Sequence, residues 1–121
     1  MMSNKEKAVS FLKMAGFGDV RKAYDQYISP DFIHHNQYFK GDRESLMLAM
    51  EEAHKVSPNK FLEVKHIYED GGTVITHSLV KKDKQDIAVV HIFRFQGDKV
   101  VELWDLGQLL DSNSPNKNGA F

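Results

Sequence analysis

The residues best placed to do chemistry are a histidine and an aspartate set into apolar surroundings. His91 lies in Ala88-Val89-Val90-His91-Ile92-Phe93-Arg94-Phe95, and Asp105 ends Lys99-Val100-Val101-Glu102-Leu103-Trp104-Asp105. Both segments read as strands joined by a tight Gln96-Gly97-Asp98-Lys99 turn, where Gly and Asp suit the positive φ that some hairpin positions require. A titratable pair on a buried face loses hydration unless partnered, so its presence points to chemistry more than to packing.

Other chemistries find little support. There is no cysteine among the 121 residues, which excludes disulfides, thiolate metal sites and cysteine nucleophiles. Six histidines occur, but without a His-x-His or His-Glu-x-x-His spacing. His77, His91 and Asp105 are the one combination that could hold a metal, and the expectation is no metal and no cofactor. No Gly-x-Ser-x-Gly elbow and no phosphate-cradling glycine loop is present.

Helices are expected first. Ser3-x-x-Glu6 has the capping-box pattern, followed by Ala8, Phe11, Leu12 and Ala15 at helical spacing. Asp19 can cap a second helix bearing Val20, Ala23, Tyr24, Tyr27 and Ile28, stopped by Pro30. Asp42 can cap a third, with Leu46, Ala49, Met50 and Ala53 as its apolar stripe. Residues 31–37 are too short and irregular for a fourth helix. Four strands follow, at 61–69, 73–81, 87–95 and 99–109, and residues 110–121 have the composition of a C-terminal arm. Helices first and hairpins afterwards make a single α+β domain with an antiparallel sheet covered on one face.

Strand parity decides which polar groups share a face. A turn centred near Lys84 sets His77 opposite His91. A two-residue turn at Gly97-Asp98 pairs Trp104 with His91 and sends Asp105 to the other face. A three-residue connection instead places Val101, Leu103 and Asp105 with His91. One residue of register reverses the answer.

From Tyr27-Ile28 through His35-Asn36, His77, His91-Ile92-Phe93-Arg94 and Lys99-Val100-Val101-Glu102-Leu103-Trp104-Asp105 to the tail Asn116-Lys117-Asn118-Gly119-Ala120-Phe121, the chain resembles a known family. It is similar to SnoaL-like proteins of the nuclear transport factor 2-like superfamily, in particular small stand-alone forms described as catalysing aldol condensations. The resemblance implies a cone, in which a strongly curved sheet wraps three N-terminal helices around an internal pocket. In cyclases of this type a histidine on the strand before last and an aspartate on the last strand line that pocket. His91 and Asp105 fall on those positions, which implies the three-residue connection. Leu103 stands where relatives often carry His in a His-Trp-Asp run, and Asp98 where a turn glycine is common.

The resemblance implies an enzyme acting on a small carbonyl compound. Asp105 would be the general base that removes a proton next to the carbonyl, and His91 would hydrogen-bond the developing enolate oxygen. His77, His35, Asn36 and Trp104 are the substrate-binding candidates, with His35 and Asn36 at the rim and His77 in the wall. The plainer alternative is a non-catalytic small-molecule-binding or dimerisation module, because a fold alone does not carry chemistry. His34 should point away from His35 and be exposed, His54 suits a helix C-terminus, and His66 reads as a surface residue.

The whole chain is ordinary in composition, with 41% apolar and 27% charged residues. A net charge of −1 gives no electrostatic case for nucleic acid or an anionic membrane. Lys81-Lys82-Asp83-Lys84 reads as a solvated loop tip. No apolar run approaches the ~20 residues of a membrane span, nor is there a signal-length run behind the N-terminus. A cytoplasmic homodimer is expected, with Val90, Ile92, Val100 and Trp104 crowding the outer sheet face and the tail docked beside it.

Overall fold

A computed structural model describes residues 1–121. Ser3 and Glu6 form the reciprocal capping box that starts α1 (Asn4–Gly16), whose face of Ala8, Phe11, Leu12 and Ala15 is buried. The second helix, α2 (Val20–Tyr27), starts at Asp19, but that side chain makes no capping hydrogen bond. In α3 (Arg43–Val56) Asp42 accepts from the Ser45 N–H, and the buried residues are Leu46 and Met47.

The sheet has five strands: β1 (Ile28–His34), β2 (Phe61–Asp70), β3 (Thr73–Lys81), β4 (Asp86–Gln96) and β5 (Lys99–Leu109), ordered β1-β5-β4-β3-β2. It is mixed, since β1 runs parallel to β5 while the other pairs are antiparallel. The fifth strand takes the segment that had no expected element. Ile28 begins it instead of ending α2, and Pro30 is tolerated because β1 is an edge strand with an irregular register between Ile28 and Ile33. The sheet is not closed, and β1 and β2 are its edges.

All three helices pack on one face of the sheet. Phe11 is central, with ring centroids 5.6 Å from Tyr24 and 6.1 Å from Phe93. Val74, Phe93, Phe95, Val100 and Leu103 supply the sheet side of this core. Each large apolar side chain so buried contributes roughly 1.5–3 kcal/mol.

The β4–β5 hairpin decides the chemistry. Its turn has two residues, with Gln96 paired to Lys99 and Gly97 at φ 64°, the positive first position of a II′ turn. Two residues alone would put Asp105 on the outer face. A bulge corrects the parity: Phe95 pairs with Val100 but Arg94 pairs with Glu102, so Val101 is the extra residue. Beyond it His91 faces Asp105 and Ile92 faces Trp104. The expected pairing of His91 and Asp105 is therefore reached by a bulge and not by a three-residue connection.

Two further register expectations are overturned. The β3–β4 ladder closes at Lys81 and Asp86, which pairs His91 with Thr76 and His77 with Val90. His77 consequently lies on the outer face, away from His91. Val100 belongs to the inner core and not to the outer strip, because it sits on the turn side of the bulge.

Candidate functional site

His91 and Asp105 occupy adjacent strands on the helix-facing side, with His91 Nε2 3.6 Å from Asp105 Oδ1. Their side chains are 12% and 21% exposed. Asp105 Oδ2 accepts from Asn36 Nδ2 at 3.1 Å, and Asn36 is itself fixed by accepting the Tyr38 N–H at 3.0 Å. One carboxylate oxygen is thus anchored and the other is turned toward the imidazole. The 3.6 Å separation exceeds an ordinary hydrogen bond.

His91 Nδ1 is buried with no partner. Burial pushes the imidazole below its ordinary value of 6.5, with the Asp105 carboxylate acting in the opposite, weaker direction. The ring is therefore neutral at pH 7. Beside it, the hydroxyls of Thr76 and Ser78 are also buried and unpartnered, so the inner face of β3 and β4 holds three polar groups with hydrogen-bonding capacity to spare.

Two cavities meet at this pair. The inner one, about 210 Å³, runs between α1, α3 and the sheet and is lined by His91, Phe11, Leu12, Met50, Leu62 and Val89 among others. The outer cleft, about 590 Å³, is lined by His35, Asn36, Gln37, Tyr38 and Asp105. Ile87 and Val89 line both. His91 thus borders the inner cavity and Asp105 the outer cleft, two adjoining hollows with walls in common.

The remaining candidates separate sharply. Asn36 touches Asp105. His35 borders the outer cleft, but its ring stacks on Trp104 at 4.7 Å and its Nε2 lies 2.6 Å from Glu102 Oε2. Glu102 also accepts from Arg94 Nε at 2.8 Å, and these two contacts hold its carboxyl below the usual range. Trp104 faces outward in this cluster, opposite Ile92. His77 stacks loosely on Phe121 at 4.6 Å and on His66 at 5.8 Å, so the tail folds back over the outer face.

His34 is 5% exposed, not solvent-facing. It does alternate with His35, but it is His34 that turns inward. Its Nε2 meets the Lys40 carbonyl at 2.6 Å and its Nδ1 accepts the Asn36 N–H at 3.1 Å, leaving nothing over for chemistry. The His77, His91, Asp105 metal combination fails because His77 is on the other face, and no group of three or more metal-ligating side chains converges anywhere.

Sequence reasoning missed the mouth of the inner cavity. His54, Asn59 and Lys82 line it. His54 at the end of α3 packs over Gly18, where φ is 102° and a Cβ would sit 2.5 Å from His54 Nε2. Asn59 Nδ2 donates to the Gly16 carbonyl at 2.8 Å, leaving its Oδ1 buried and unpaired. These residues lie in loops and helix ends with no periodicity to mark them. Lys82, read as part of a solvated tip, is only half-exposed.

Three helices on an open, mixed five-strand sheet with a cavity between the layers define a nuclear transport factor 2-like fold. Solved structures agree. A nuclear transport factor 2-like protein of unknown function from Burkholderia xenovorans superposes with a TM-score of 0.73 at 20% identity, covering 93% of this chain and 88% of that one. AclR, a proposed hydroxylase from Streptomyces galilaeus, gives 0.75 at 22% identity over 88% and 79%. IdmH, a proposed polyketide cyclase from Streptomyces antibioticus, gives 0.74 at 15% identity over 88% and 92%. At these identities the likeness is one of fold. A family profile described as a SnoaL-like domain matches residues 10–103, and the chain belongs to that family. Comparison with curated protein sequences finds no match. No helix is long and apolar enough to cross a membrane.

Proposed function

We propose that the protein is a cofactor-independent enzyme that forms an enolate from a small carbonyl compound, as in an aldol-type cyclisation. What carries the reading is the His91–Asp105 pair: largely enclosed, on one face, and too far apart to satisfy each other. Asn36 anchors Oδ2 of Asp105, which leaves Oδ1 to accept a proton from the carbon next to the carbonyl. As that C–H bond breaks, its electron pair moves onto the carbonyl oxygen. The neutral His91 ring, whose Nε2 faces the same gap, donates a hydrogen bond to the developing enolate. The enolate carbon then attacks a second carbonyl, and the new alkoxide recovers the proton held by Asp105. Separations that are loose without substrate tighten around it in such sites.

The family supports the same reading, and the names of two structural neighbours, a proposed polyketide cyclase and a proposed hydroxylase, concern small-molecule chemistry in those proteins. We read the outer face, where Val90, Ile92 and Trp104 are half-buried and Leu106 is 56% exposed, as a homodimer interface of a cytoplasmic protein. A species of only ~14 kDa at micromolar concentration in sedimentation would contradict the dimer.

One observation favours the second reading, a non-catalytic binding module. His91 lines the inner cavity and Asp105 the outer cleft, and neither hollow is lined by both. The two readings part in heavy water. An enzyme of this kind incorporates deuterium next to the carbonyl of a small methyl ketone faster than buffer alone, with or without EDTA. A binding module does not.

A further inference from the structure

The inner cavity carries a charge pattern that proton abstraction does not use. Its lining sets His54 and Lys82 at one end and the neutral ring of His91 at the other, with no carboxylate. Lys82 follows directly on β3 and lines the cavity at its mouth. Its ammonium donates to the Ser57 carbonyl, and none of the ion pairs in the chain includes it. Partial burial with no counter-charge holds Lys82 below the usual ammonium value. The adjoining surface hollow adds Lys60 and Lys84 against a single acid, Asp83. The mouth is therefore electropositive and its most enclosed cation is unpaired.

Between mouth and floor the walls are apolar, formed by Phe11, Leu12, Leu62, Val80 and Val89. The floor is polar again at His91, which pairs with Thr76, while the mouth lies past the Lys81–Asp86 pair. Five residues of strand separate the two, roughly 17 Å of backbone, and the Lys82 stem reaches back across part of that distance. A ligand that satisfies all three zones has an anionic head, a short apolar body and a polar far end.

We infer that the inner cavity takes a compact apolar carboxylate, its head on Lys82 at the mouth and its carbonyl-bearing end against His91. The anion site stands on the cavity alone, and only the identity of the far end rests on the proposed enolate chemistry. The carboxylate supplies the counter-charge that Lys82 lacks, and the apolar body displaces water from the walls. The lysine thereby sets which end of the substrate meets His91.

Calorimetric titration with octanoate and with octanol tests the inference. The wild type should bind octanoate at least tenfold more tightly than octanol, Lys82→Arg should keep that preference, and Lys82→Met should abolish it. Ala53→Trp, at an exposed position on the cavity lining, should weaken both ligands by blocking entry. Equal affinity for the two in the wild type, a preference that survives Lys82→Met, or no octanoate binding at millimolar concentration overturns the proposal. If Lys82→Met does not fold, octanoate binding unaffected by Ala53→Trp overturns it instead. With the octanoate analogue bearing a methyl ketone at its far end, the His91 ring resonances should shift more than with octanoate. Binding is read here without turnover. Intact binding with no deuterium incorporation would count against proton abstraction at Asp105 and leave the anion site standing.

Discussion

Two histidine–carboxylate pairs are built on β5, Glu102 meeting His35 just past β1 and Asp105 facing His91 on β4, and they could hardly differ more. On the outer face His35 lies 2.6 Å from Glu102, which also holds Arg94, while the ring of His35 stacks on Trp104. Every strong group there has a partner. On the inner face His91 and Asp105 stand 3.6 Å apart, with Nδ1 of His91 buried and unpartnered. The outer pair is saturated, with Glu102 engaged by both His35 and Arg94, so its energy goes into local structure. In the inner pair the His91 ring is desolvated and incompletely satisfied, a state that marks candidate functional sites.

The sharpest way to break the contrast is to move Asp105 to the wrong face. Deleting Leu103, a buried and paired residue beyond the bulge, shifts the rest of β5 by one position and would carry Trp104 inward and Asp105 out. Because this also empties a buried position, stability should fall by at least about 3 kcal/mol, read as a large drop in urea midpoint. A near-normal midpoint would mean that the register of β5 against β4 does not fix the face on which Asp105 lies. Next in size is a matched pair of substitutions. His91→Gln should slow deuterium incorporation into a methyl ketone by roughly tenfold or more, whereas His35→Gln should leave it within about twofold. Equal losses would dissolve the distinction.

The pH dependence of stability separates the pairs again. The folded-state value of His91 lies below the unfolded one, so the unfolded chain takes up a proton first as pH falls. Stability should therefore decline as pH drops through about 6.5, and His91→Gln should flatten that decline in urea titrations at pH 7 and pH 5.5. Glu102, held low by its two hydrogen-bond donors, acts in a more acid window. Its contribution is present above the ordinary carboxylate value and lost as pH falls below it. The smallest effect belongs to the outer cluster: Arg94→Ala should cost no more than about 1 kcal/mol and less at high salt, so a larger loss would show that this pair is not merely a surface one.

Much of this arrangement was legible in the residues. The capping box of α1 and the four hairpin strands lie where periodicity and turn chemistry put them, because both signals are local. What escaped depended on single-residue register. Val100 and Val101 are both apolar, so nothing in their types marks one as a bulge. The β3–β4 register is one residue off its expectation, which suffices to move His77 from the pocket wall to the outer face. The segment around Pro30 looked irregular because an edge strand tolerates residues that a central strand would not. The pairing of His91 with Asp105 needed the family resemblance, and the isolation of Lys82 needed the tertiary packing of α3 against the β3–β4 loop.

The most direct measurement compares Asp105→Asn with Glu102→Gln in the heavy-water assay, using the octanoate analogue with a terminal methyl ketone. Both substitutions remove one carboxylate charge from β5 and keep side-chain shape. The account predicts that Asp105→Asn lowers the rate of deuterium incorporation by ~10²-fold or more while Glu102→Gln stays within about twofold of the wild type. An Asp105→Asn protein that exchanges as fast as the wild type, or a wild type no faster than buffer, would contradict it.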